Sequence, residues 1–229
     1  MPWSVNALAI ALGLAAAGSA DVSGPCAEEA GRREFSGLCR YREENRALVA
    51  AHVRPRVVMM GDSITEGWKA GDPSIFRDGV VDRGISGQIT AQMLVRFRQD
   101  VIDLKPLAVH IMGGTNDMLH LPGPVNMDET VSNIRSMAEL ARAHGIRVII
   151  ASVLPASQGG TPAKEVAEIN RRLAALAKAD GYQFVDYYHA LDKGDGSMAT
   201  VDSGDGVHPT EAGYARMRPL AATAIASVR

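Results

Sequence analysis

Five times along this chain a short, largely apolar run precedes a stretch of different periodicity. The runs are Arg56 to Met60, Val80 to Asp82, Leu107 to Met112, Ile146 to Ser152 and Tyr182 to Tyr187. Each is too short for a helix and reads as a buried strand. Among the intervening stretches, Met93, Leu94, Phe97, Val101 and Leu104 mark one helical face. Val131, Ile134, Met137 and Ala141 mark a second, and Val166, Ile169, Leu173 and Leu176 a third. A last helix starts near Thr210, a suitable N-cap. Such alternation means parallel strands joined by right-handed crossovers, with helices on both faces of the sheet. The expected fold class is α/β: a three-layer α/β/α sandwich on a five-stranded parallel sheet, as one domain over residues 21–229. In such folds ligands bind at the carboxyl ends of the strands.

Residues suited to chemistry follow those ends. Gly61-Asp62-Ser63 leaves the first strand, Gly84-Ile85-Ser86-Gly87 the second, and Gly114-Thr115-Asn116-Asp117 the third. Asp205-Gly206-Val207-His208 stands just before the last helix. Taken singly, each stretch is ordinary turn chemistry. Together they supply the parts of acyl transfer. Ser63 needs a base, and His208 is one that works near neutral pH. Asp205, three residues earlier, can fix the ring of His208. The amides of Ser63 and Gly87 and the side chain of Asn116 can serve as an oxyanion hole. Gly61 is expected to permit the sharp turn into Ser63 through unusual backbone angles.

In order and content these four blocks resemble the SGNH hydrolases, the GDSL-type esterase and lipase family, over roughly residues 56–225. The resemblance implies a flavodoxin-like sheet, a triad of Ser63, His208 and Asp205, oxyanion donors at Ser63, Gly87 and Asn116, and no cofactor. Three positions depart from the family pattern. Ile64 replaces a leucine, Asp82 stands where many members have Asn, and Gln88 where many have Asp. The last two leave open how the second turn is braced. Two readings of another class compete: a metal-dependent hydrolase using Asp62, Asp117, Asp205 and His208, and a non-catalytic binding module. Within the esterase reading, a lysophospholipase or thioesterase is the alternative.

The 24 basic and 26 acidic residues nearly balance, which argues against a nucleic-acid partner. Arg32, Arg33, Arg40, Arg42, Arg96 and Arg98 are expected on solvated helix faces. No apolar run is long enough to span a bilayer. Residues 1–20 resemble a secretory signal peptide, with an apolar run from Ala7 to Ala17 and small residues at Gly18-Ser19-Ala20, although no basic residue precedes it. The expected location is therefore periplasmic or secreted. Cys26 and Cys39, the only cysteines, would form one disulfide there, within a helical segment reaching to residue 52. The partner is a small-molecule ester, and the oligomeric state is left open. Residues 68–79 are expected as a loop over the site. With Leu119 and Leu121, Trp68 and Phe76 would be its only sizeable apolar cover, which suits short acyl chains.

Overall fold

The computed structural model describes residues 36–120, 126–156 and 163–228. Helix α1 (Arg42–Ala50) leads into β1 (Val57–Gly61) and α2 (Ser63–Gly71). β2 (Val80–Gly84), α3 (Thr90–Phe97), β3 (Ala108–Met112), α4 (Thr115–His120) and α5 (Met127–Ala143) follow. The chain closes with β4 (Arg147–Ala151), α6 (Ala163–Asp180), β5 (Gln183–Val185), the short α7 (Tyr188–Leu191) and α8 (Glu211–Ala226). All five strands are parallel, in the order β2-β1-β3-β4-β5. The expected fold is present, with its switch point between β1 and β3, the place where such sheets bind ligands.

Side chains alternate across the strands and feed two cores. Val58, Met60, Val109, Ile111, Val148 and Ile150 pack under α3, α5 and α6. Val57, Met59, Met112, Ile149 and Ala151 face Trp68 of α2 and Tyr214, Met217 and Ile225 of α8. Thr210 caps α8, accepting from the Gly213 amide at 3.3 Å. No helix among the described residues is long and apolar enough to cross a membrane.

Six expectations need correction. The stretch after Ser63 is helix α2 followed by a 3₁₀ turn at Pro73–Ile75, not a loop from residue 68. Trp68 is fully buried between Tyr187 and Tyr214, so it cannot cover a substrate. Gly71, which looks like a breaker, is a packing glycine: a Cβ there would lie 2.4 Å from the Tyr214 ring. Arg96 is not solvated but 0% exposed. The helix begun at Thr90 passes into a π turn at Arg98–Ile102, which carries Asp100 inward to meet it. The fifth strand is shorter than expected because Ser152 Oγ takes the amides of Tyr187 and Tyr188, each at 2.9 Å, out of the ladder. The second strand extends two residues further, to Gly84. Cys26, Leu121 and residues 1–20 lie outside the described residues; Cys39 lies in the turn before α1.

Candidate active site

β1 ends at Gly61 and the chain turns at Asp62 directly into α2, with Ser63 at the first helical position. Asp62 Oδ1 accepts from the Ile64 amide at 2.9 Å, satisfying one first-turn donor. The Ser63 amide sits at the same helix end, where the partial positive charge favours an anion. Gly61 is needed for space rather than for angles. Its φ is not left-handed, and a Cβ there would lie 2.0 Å from Thr65 Oγ1 and 2.8 Å from the Met112 carbonyl oxygen.

Ser63 Oγ lies 2.9 Å from His208 Nε2, and His208 Nδ1 lies 2.7 Å from Asp205 Oδ2. The other oxygen of Asp205 accepts from the amides of Val207 and His208, at 2.9 and 2.8 Å, and from Ser203 Oγ at 3.2 Å. Partial burial works to raise Asp205, but hydrogen bonds from the His208 ring and these two amides outweigh it and hold the carboxyl well below its ordinary value. Asp205 is therefore an acceptor only, so Nδ1 carries the ring proton and Nε2 faces the serine hydroxyl as acceptor. An antiparallel bridge between Ser203 and Pro209 closes this loop just before α8.

The turn after β2 brings Gly87 to the same edge. Its φ is +77°, a left-handed conformation that favours glycine, and among the described residues no atom beyond its chain neighbours lies within 4 Å of where a Cβ would stand. Asn116, in the first turn of α4, is 5% exposed and donates through Nδ2 to the Gln88 carbonyl at 3.0 Å. A carboxamide has two N–H donors, so one is left for a ligand. Asp117 turns inward, taking the Thr90 amide at 3.0 Å and the hydroxyl of Thr130 at 3.2 Å. Asp62 and Asp117 are thus committed to buried caps. Among the described residues, no group of three or more His, Cys, Asp or Glu side chains could hold a metal ion.

The model of the GDSL-like Lipase/Acylhydrolase family matches residues 59–216, a span holding all these groups. The chain belongs to this family. As a GDSL-like hydrolase it is a carboxylic ester hydrolase. It is 42% identical to a GDSL-like lipase from Bacteroides thetaiotaomicron, whose crystal structure superposes with a TM-score of 0.77 over 86% of this chain and 100% of that one. It is 28% identical to esterase TesA of Pseudomonas aeruginosa over 70% of this chain and 83% of the relative. It is 24% identical to human platelet-activating factor acetylhydrolase IB subunit alpha2 over 86% and 89%.

Two groups beside the site of this GDSL-like hydrolase go unassigned in the reading of the sequence. Glu66, one turn after Ser63, accepts at Oε2 from the Ser86 amide at 2.9 Å and from the Ser86 hydroxyl. Buried Arg96 donates to the Gly61 carbonyl at 2.8 Å, the Arg83 carbonyl at 2.9 Å and Gln88 Oε1 at 2.6 Å. The departures from the family pattern become bracing groups as well: Asp82 accepts from the Gly84 amide at 2.8 Å, and Gln88 bonds through its side chain. A signal for Arg96 was available. It lies between Met93 and Phe97 of the apolar stripe, with an acid four residues on.

Proposed function

We propose that this protein is a serine esterase hydrolysing carboxylic esters of short acyl chains through Ser63, His208 and Asp205. The observation that carries the reading is the unbroken line from Ser63 Oγ to His208 Nε2 and from His208 Nδ1 to Asp205. His208 takes the hydroxyl proton as Ser63 Oγ bonds to the ester carbonyl carbon, and the carbonyl oxygen becomes an oxyanion. The amides of Ser63 and Gly87 and the Asn116 side chain stabilise that charge. The imidazolium, steadied by Asp205, gives its proton to the leaving alcohol, and an acyl-enzyme remains. Water, activated by His208, then attacks the acyl carbon and frees the acid and Ser63.

The preference for short acyl groups is supported by the few sizeable apolar side chains that the described residues of the first and third strand exits offer. Trp68 belongs to the core, and half-buried Leu119 is what the described part of the third exit offers. A buried CH₂ is worth about 0.8 kcal/mol, so kcat/KM is expected to peak at about two to six acyl carbons. The name of the human relative, an acetylhydrolase, favours the same end of the range. Export, cleavage within residues 1–20 and a Cys26–Cys39 disulfide belong to this proposal. The test is a panel of aryl esters of increasing acyl length on wild type and Ser63→Ala. Activity should vanish in the variant. An optimum at about ten carbons or longer would overturn the acyl preference and point to a lysophospholipase.

A further inference from the structure

The segment Ser36–Asn45 precedes the residues matched by the family model, yet it lies along the back of the Gly84–Gln88 turn. Tyr41, 3% exposed, donates its hydroxyl to the Gly84 carbonyl at 2.5 Å. Gln88 Nε2 donates to the Ser36 carbonyl at 2.8 Å. Between these contacts Gly37 lies so close that a Cβ on it would stand 2.9 Å from Ile85 Cδ1. Asn45 accepts from Arg83 Nε at 2.9 Å and donates to Asp100 at 2.7 Å. Asp100 in turn holds Arg96, the guanidinium that grips both Gln88 and the end of β1. On the outer side Arg40 pairs at 3.2 Å with Glu66, whose other oxygen holds Ser86.

Gly87 is thus the open point of a turn gripped on either side. A turn with glycine at the donor position has no side chain of its own to fix it. Oxyanion donors act by being aimed in advance, with no reorganisation during reaction. The Gln88 carbonyl also holds Asn116, so a shift of this turn displaces two donors together.

We propose that Ser36–Asn45 is a strap that positions the oxyanion turn, with Tyr41 as its principal positioning residue and the Arg40–Glu66–Ser86 chain as its outer hold. This inference rests on the oxyanion assignment proposed above. In the full chain, Tyr41→Phe deletes one hydroxyl. It should lower kcat about tenfold, less than the 10²–10³ of a lost donor, with KM within about twofold and little change in Tm. Glu66→Ala should lower kcat similarly, and Glu66→Gln, which keeps an acceptor for Ser86, should recover most of it. In an Asn116→Ala background the Tyr41→Phe effect should shrink, because fewer donors remain to be aimed. All rates are taken per active site titrated with a serine-directed phosphonate. Should Tyr41→Phe fail to fold, the partly exposed Glu66 pair decides alone. An unchanged kcat, or a fall in Tm with kcat preserved, overturns the strap while an inactive Ser63→Ala leaves the triad standing. An active Ser63→Ala overturns both.

Discussion

Trp68 stacks on Tyr214, their ring centroids 5.4 Å apart, so the helix that opens with Ser63 is fastened to the helix that follows His208. Tyr214 also donates its hydroxyl to the Ile64 carbonyl at 2.8 Å, inside the first turn after Ser63. Gly71 gives the Tyr214 ring its room. Gly71→Ala should therefore destabilise the fold by roughly 1–3 kcal/mol, the range of overpacked cores, although alanine is the better helix former. Urea denaturation checks this, and a stabilised variant would refute the packing account.

Asn116→Ala should lower kcat by roughly 10²–10³ and leave KM nearly unchanged, as expected for a donor used mainly in the transition state. Steady-state kinetics on a short-chain aryl ester decide it. An unchanged kcat would reduce Asn116 to a turn residue tied to Gln88.

Asp62 predicts a pH dependence of stability. Burial raises its carboxyl to about 6, with the Asp117 charge adding to the rise, while the Ile64 amide and His208 act the other way. A raised carboxyl binds its proton more readily in the folded state, so stability falls as pH climbs from the ordinary carboxylate range through about 6. Asp62→Asn keeps an acceptor for the cap and removes the charge. Its stability relative to wild type should increase by on the order of 2 kcal/mol between pH 4 and pH 7. Denaturation curves at both pH values test this, and a constant difference would contradict it.

Cys26 and Cys39 are proposed to be bonded in exported protein. Along one straight helix they would stand about 20 Å apart, at roughly 1.5 Å per residue, whereas a disulfide requires Cα atoms within about 7 Å. Cys39 lies in a turn rather than a helix, which is compatible with the chain folding back. Closing that loop should add on the order of 3 kcal/mol. Mass spectrometry under non-reducing conditions should find no free thiol, and two free thiols would reject the pairing.

The sheet, the edge that carries the site and the candidate residues were legible because each has a local signature: a buried apolar run, then a polar turn. Helix α2 was not, since Gly67 and Gly71 look like punctuation until Tyr214, from the far end of the chain, is set against them. The burial of Arg96 left only its place in the apolar stripe and an acid four residues on as a trace. An arginine reads as a surface residue unless its acid, its carbonyl acceptors and the segment covering them are known together. The brace of the second turn depends on residues 36–45, which lie outside the family pattern, so no motif could report it.

The hydroxyl and the ring nitrogen that meet at 2.9 Å are 145 positions apart in sequence. Synthesis therefore delivers Ser63 long before His208, and a chain interrupted between them carries the proposed nucleophile without its proposed base. Under the proposed mechanism, ester hydrolysis begins only when α8 has closed on the first turn after Ser63. During refolding, the return of activity should coincide with burial of Trp68, and its fluorescence times that closure.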